Sequence, residues 1–202
     1  MQKCKLLFFT INTDEVAYVN RSSIIIEGID GSGKSEVSRF FLSHNYTCIY
    51  HEKCKDKTLV WWEDDKSLRA RMEFLIKDNI RIMQYMKENS NSLSERNFLS
   101  TIAIHSYFGH YDYEKIIESI LEYCFDNIKW IFVDCVDSIR IQRLQNRAKL
   151  TGFDRQTMNH SYVEHYNKVF NAFSRHIPII HITNSTSKSE LIERVTAVYE
   201  TL

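Results

Sequence analysis

The sequence predicts an α/β fold, a parallel sheet flanked by helices with a short N-terminal extension. Three observations carry this. Short apolar, β-branched runs alternate with segments of helical periodicity along most of the chain. A glycine-rich turn joins the first such run to the first helical segment. The length, 202 residues, suits one domain, since domains typically run to roughly 100 to 200 residues.

Taken in order, residues 6–11 and 16–20 are apolar or β-prone and flank Asn12-Thr13-Asp14-Glu15, the pattern of a small hairpin inside an N-terminal extension, residues 1–22. The main domain spans 23–202. Ser23-Ile24-Ile25-Ile26-Glu27 reads as a buried parallel strand that meets the turn at Gly28. Residues 34–44 place Val37, Phe40 and Phe41 at helical spacing, and 47–50 read as the second strand. Residues 67–88 set Leu68, Met72, Leu75, Ile76, Ile80, Met83 and Met86 on one face of a long helix rich in Arg and Lys. Propensity reads 90–94, with Ser90, Ser92 and Ser94, as a loop. Further on, 130–135 is a strand, 137–148 a basic helix, 161–173 a helix, 177–182 a strand and 187–202 the last helix. The single proline is Pro178, and no linker or repeat divides the domain.

Hydrophobic residues make up 44% and charged residues 26%, which excludes a disordered chain. With 26 basic and 26 acidic side chains the net charge is zero, so there is no global field to hold duplex nucleic acid, and phosphate binding must be local. Five scattered cysteines fit free thiols in a reducing, cytoplasmic setting better than a disulfide framework. Leu6-Leu7-Phe8-Phe9 is too short for a signal peptide, and nothing approaches the roughly 20 apolar residues of a membrane span.

The chemistry concentrates in Gly28-Ile29-Asp30-Gly31-Ser32-Gly33-Lys34-Ser35, a complete G-x-x-x-x-G-K-[ST] pattern set between a strand and a helix, the context this phosphate-binding loop requires. Glycines let the backbone wrap a phosphate chain so that N–H groups and the helix N-terminus face the anion. Lys34 adds a movable positive charge, and the Ser35 hydroxyl is a ligand for Mg²⁺ bridging the phosphates of ATP.

With Glu27 included, this loop resembles that of the thymidylate kinase and deoxynucleoside kinase group, Glu-Gly-x-Asp-Gly-x-Gly-Lys-[Ser/Thr], and the loop aspartate favours the thymidylate kinases. A second block, residues 95–105 (Glu95-Arg96-Asn97-Phe98-Leu99-Ser100-Thr101-Ile102-Ala103-Ile104-His105), is similar without a gap to the family's Asp-Arg-Tyr-x-x-Ser-x-x-Ala-Tyr-Gln. A third, Val133-Asp134-Cys135-Val136-Asp137 followed by Arg140, Arg143, Arg147, Lys149 and Phe153-Asp154-Arg155, is similar to its strand, helix and lid.

The resemblance covers 23–202 and implies a P-loop nucleotide kinase fold that uses ATP and Mg²⁺ to phosphorylate a deoxynucleoside monophosphate, thymidylate foremost. It implies that Asp30 positions the acceptor phosphate, that Glu95 joins Ser35 at the metal, and that Arg96 grips the acceptor phosphate, with Ser100, Thr101 and His105 beside the acceptor. It gives Arg143, Arg147 and Arg155 the part of lid cations that stabilise charge in phosphoryl transfer. Dimers are usual in that family, so a homodimer is an expectation of the resemblance.

The match departs from the family in two places. His51-Glu52-Lys53-Cys54-Lys55 stands where thymidylate kinases carry a Glu-Pro-Gly-Gly-Thr turn, and the helical Asp-Arg pair that holds the acceptor phosphate reads Asp78-Asn79, leaving Arg71 or Arg81 to supply the guanidinium. Glu52 and the Trp61-Trp62 pair are similar instead to nucleoside kinases, where a glutamate after the second strand is the base for the 5′-hydroxyl. A nucleoside acceptor served by Glu52, and a nucleotide-binding module without turnover, therefore stay open as alternatives. Phe74 is a candidate for stacking the acceptor base. Cys48, His51 and Cys54 have metal-like spacing but no second ligand cluster, and His160 and His165 read as packing residues beside Tyr162 and Tyr166.

Overall fold

A computed structural model describes residues 21–52, 65–148, 152–185 and 187–202. The expected hairpin in 6–20, Cys54, Trp61, Trp62 and Lys149 lie outside the described residues.

The elements alternate as expected. Strand β1 (Ser23–Glu27) leads into helix α1 (Lys34–Leu42) and the two-residue strand β2 (Thr47–Cys48). Helix α2 (Asp65–Glu88) precedes strand β3 (Ser92–Glu95), helix α3 (Phe98–Gly109) and helix α4 (Tyr113–Ile120). A 3₁₀ turn at Leu121–Tyr123 leads to strand β4 (Ile128–Asp134) and helices α5 (Asp137–Gln145), α6 (Gly152–Thr157) and α7 (His160–Ser174). Strand β5 (Ile179–Thr183) and helix α8 (Lys188–Glu200) complete the chain. The five strands are parallel, in the order β2-β3-β1-β4-β5.

The isoleucine run of β1 is apolar on both faces because both are covered. Ile25 shares one face with Trp130 and Phe132 under α2, α3 and α7, while Ile24 and Ile26 share the other with Ile131 and Val133 under α1 and α8. Each of the three isoleucines is fully buried, a contribution of about 1.5 to 3 kcal/mol apiece. Helix α3 has no polar face; its first nine residues are buried between α2 and α7, which makes it a core helix.

Where propensity reads a loop, Ser92–Glu95 is an interior strand, paired with β1 at Ile24↔Leu93 and with β2 at Cys48↔Leu93. Its hydroxyls are satisfied locally: Ser92 donates to the Asn89 carbonyl (3.0 Å) and Ser94 to the Arg96 carbonyl (3.1 Å). Small, internally bonded side chains let α1 and α2 approach, so tertiary pairing overrides propensity. Elsewhere the ends shift. Strand β4 starts at Ile128, which pairs with Ser23, and β5 starts just past Pro178, which has no N–H to give a ladder. Helix α5 stops at Gln145 instead of 148, α1 at Leu42, and β2 at Cys48.

Arg21 ties the start of the described chain to its end, stacking on the Tyr199 ring (4.0 Å) and donating to the Tyr199 carbonyl (2.8 Å). Cys48, Cys124 and Cys135 are free thiols. No helix among the described residues is long and apolar enough to cross a membrane.

Candidate functional site

The turn between β1 and α1 lies at the carboxyl end of the parallel sheet, where open α/β sheets form their ligand crevices. Gly33 caps α1 with φ of 100°, a left-handed conformation, and a Cβ there would fall 1.9 Å from the Asn184 side-chain nitrogen. At Gly28 a Cβ would fall 2.3 Å from the Val133 carbonyl. The loop is braced from behind. Asn184, just past β5, donates to the Ser32 carbonyl (2.7 Å), and Arg143 makes long contacts to the Gly31 and Ser32 carbonyls (3.5 and 3.4 Å). The fully buried Arg140 donates to the Asp30 carbonyl (3.2 Å) and to the Thr157 carbonyl at the end of α6 (2.8 Å). With its carbonyls held back, the loop and the first turn of α1 are left to present N–H groups to an anion.

In front of the loop is an open cavity of about 440 Å³. Its walls bring together Asp30, Lys34, Ser35, Glu95, Arg143 and Arg147. Lys34 is buried and donates to the Ile29 carbonyl (3.0 Å), with Asp30 at 3.9 Å. Burial, then the Arg96 guanidinium, pulls the ammonium down to about 7 despite Asp30, Glu95 and Glu27. Burial works to raise the Asp30 carboxyl, but Arg96, Lys34 and Arg147 together hold it below the usual range. The Ser35 hydroxyl donates to one oxygen of Glu95 and Ser38 to the other, each at 3.0 Å. A hydroxyl and a carboxylate facing the cavity together form a hard-oxygen pair suited to a divalent cation that completes its shell with phosphate and water.

Arg96 links this cavity to the α2–α3 side. Its backbone adopts φ of 74°, its guanidinium pairs with Asp30, and it donates to the Ser100 hydroxyl (3.2 Å). Burial opposes its charge more than any one neighbour favours it, but Asp30 together with Tyr166, Glu27 and Tyr162 outweighs burial, so its pKa lies above the ordinary arginine value. Beneath it the buried Glu27 accepts from the Asn97 and Ser100 N–H groups (2.7 and 3.3 Å) and from the Ser100 hydroxyl, capping α3 with a carboxylate where the helix dipole favours one.

Thr101 and His105 lie further along α3. Thr101 accepts from the Asn79 amide of α2 (3.0 Å), and His105 donates to the Thr101 carbonyl (2.7 Å). Burial pushes the His105 imidazole down to about 4, the Thr101 carbonyl opposing this and Arg71 adding to it. Phe74 is half-buried on α2.

The segment after β2 closes against α2. The Glu52 N–H donates to Asp78 (3.1 Å), whose carboxylate also receives Arg81 (2.6 Å), while the mostly exposed Glu52 side chain is 3.4 Å from Arg81. Arg81 is thereby committed to carboxylates. Arg147 pairs with the buried Asp154 of α6, and Arg155 is exposed on α6. His165 bonds Ser106 (2.7 Å), and His160 is exposed.

Sequence reasoning missed Asn184, the braces from Arg140, and Glu27 as the cap of α3. Asn184 carried one usable signal, its place right after a strand whose carboxyl end faces the loop.

No protein-family model matches the chain, and no curated protein matches it either. Solved structures do. Deoxyadenosine kinase from M. mycoides with bound dATP is 17% identical, covering 88% of this chain and 99% of that one with a TM-score of 0.65. The YorR protein from Bacillus subtilis, in complex with phosphorylated GDP, is 18% identical over 89% and 95%, with a TM-score of 0.59. Thymidylate kinase from Candida albicans is 16% identical over 90% and 91%, with a TM-score of 0.57. At such identities the likeness is one of architecture, and the architecture is that of the P-loop kinases.

Proposed function

We propose that the chain transfers the γ-phosphoryl group of ATP to a deoxynucleoside monophosphate, with thymidylate the first choice. The observation that carries this reading is Arg96, whose guanidinium reaches Asp30 of the phosphate loop from the acceptor side. A planar fork there suits an acceptor phosphate oxygen pair, and exchange of Asp30 for phosphate keeps the cation compensated. Lys34, Arg143 and Arg147 face the donor cavity, where positive charge stabilises the equatorial oxygens during transfer. The ion pair of Arg147 with Asp154 couples the cavity wall to α6, so a lid closure that brought in Arg155 would also set Arg147. Ser35 and Glu95 would hold Mg²⁺, which supplies charge neutralisation at the phosphates when bound. A likeness to a deoxyadenosine kinase and to a thymidylate kinase supports a nucleoside or nucleotide acceptor. We place this activity in a reducing compartment, in keeping with the free thiols.

A second reading is favoured by Glu52. Its carboxylate is 62% exposed at the edge of the same side, open to a 5′-hydroxyl that needs a base. Product analysis with γ-labelled ATP separates the two. Label moving from ATP onto thymidylate, undiminished in Glu52→Gln, supports the monophosphate reading; label entering thymidine alone, and lost in Glu52→Gln, overturns it.

A further inference from the structure

His51 occupies a position the loop motif does not reach, yet it touches both walls of the acceptor side. Its Nδ1 is 2.8 Å from Asp78 of α2, and its Nε2 is 2.9 Å from the Arg96 carbonyl. A carbonyl oxygen only accepts. The Asp78 carboxylate already receives the Glu52 N–H and the Nε and Nη2 of Arg81, so it too is an acceptor. The ring thus bridges the Asp78 carboxylate and the Arg96 carbonyl, one through each nitrogen.

What it holds is a residue in a demanding conformation. Arg96 has φ of 74°, a region that costs any residue with a Cβ. That kink turns the chain out of β3 so that the side chain points back to Asp30 while Asn97 begins α3. Three hydrogen bonds fix its backbone: its N–H to the Ile26 carbonyl (2.8 Å), and the Ser94 hydroxyl and His51 Nε2 to its carbonyl (3.1 and 2.9 Å). The first two come from the sheet. Among the described residues only the His51 bond comes from outside it, and it is anchored by a side chain that is itself held to α2.

We propose that His51 is a positioning residue for the acceptor: through the Arg96 carbonyl it holds the Arg96 guanidinium in its acceptor-facing pose, and through Asp78 it sets the distance of α2 from that guanidinium. This rests on the reading of Arg96 as the acceptor-phosphate ligand. The walls of the donor cavity include neither His51 nor Asp78, and its link to Arg96 runs through Asp30.

The test is a double-mutant cycle on dTMP binding, followed by calorimetry, with Mg·ATP affinity as the control for an intact fold. His51→Ala weakens dTMP about tenfold, the loss expected for one hydrogen bond to an ordered charged site, and leaves Mg·ATP within about twofold. In an Arg96→Ala background the same change adds less than about twofold, because the residue it acts through is gone. Should His51→Ala not fold, His51→Gln keeps one amide N–H for the carbonyl and gives a smaller loss of the same pattern. Equal weakening of dTMP and Mg·ATP, or a full further tenfold in the Arg96→Ala background, overturns the assignment while leaving the kinase reading in place. Failure of the wild-type chain to bind dTMP overturns the acceptor reading, and the His51 assignment with it.

Discussion

Acidification tests the α2–α3 interior directly. His105 is fully buried, donates Nδ1–H to the Thr101 carbonyl (2.7 Å), and lies near Arg71, so its ring resists protonation until about pH 4 against 6.5 in the unfolded chain. Between those values the unfolded state binds more protons than the folded state, so stability falls as pH drops from 6.5 to 4 and this contribution levels off below 4. The gap from 6.5 to 4, at about 1.36 kcal/mol per pH unit, corresponds to roughly 3 kcal/mol. Urea unfolding of wild type and His105→Gln every half unit across this interval isolates it, because carboxylates titrate in both proteins. The wild type should lose about 3 kcal/mol more than the variant. Parallel loss in the two proteins would refute the reasoning.

Other changes separate stability from chemistry. Lys34→Met should lower turnover by at least about 10² to 10³-fold, as for loss of one transition-state donor, without lowering stability at pH 7. Burial and Arg96 already depress Lys34 to about 7, so wild-type stability should climb as pH rises from 7 toward 10.5, and the variant should flatten that climb when unfolding is followed at pH 7 and 9. Gly33→Ala should cost about 1 to 3 kcal/mol from the left-handed backbone and the clash with Asn184, and should abolish the rise in melting temperature that Mg·ATP gives wild type. Glu27→Gln should cost on the order of 3 kcal/mol in chemical denaturation, since a buried carboxylate that accepts three donors at the start of α3 loses its charge.

The phosphate loop was legible because its chemistry is local: residues 28–35 encode a backbone path, and the flanking strand and helix announce themselves by composition. The isoleucines of β1 and the apolar run of β4 were legible for the same reason. Strand β3 was not, because Ser92 and Ser94 earn their place only through partners on both sides. Helix α3 gave no amphipathic signal, since it is buried all round. Glu95 and Arg96 could be singled out only by resemblance; alone, Glu-Arg reads as a surface pair. Contacts far apart in sequence were beyond reach: Asn184 meets Ser32 across 152 positions, and His51 meets Arg96 across 45. The Asp78-Asn79 departure did carry a message, for Asp78 anchors His51 and Arg81, and Asn79 bonds α3.

The central claim, a phosphate loop that drives transfer to a nucleotide-type acceptor, is tested most directly by ADP release. ATP and Mg²⁺ are supplied with thymidine, the other nucleosides, thymidylate and the remaining monophosphates in turn, with Lys34→Ala as control. The account predicts acceptor-dependent ADP release with a monophosphate, thymidylate foremost, that disappears in the control; release that is the same with every acceptor and survives Lys34→Ala, or none with any of them, would contradict it.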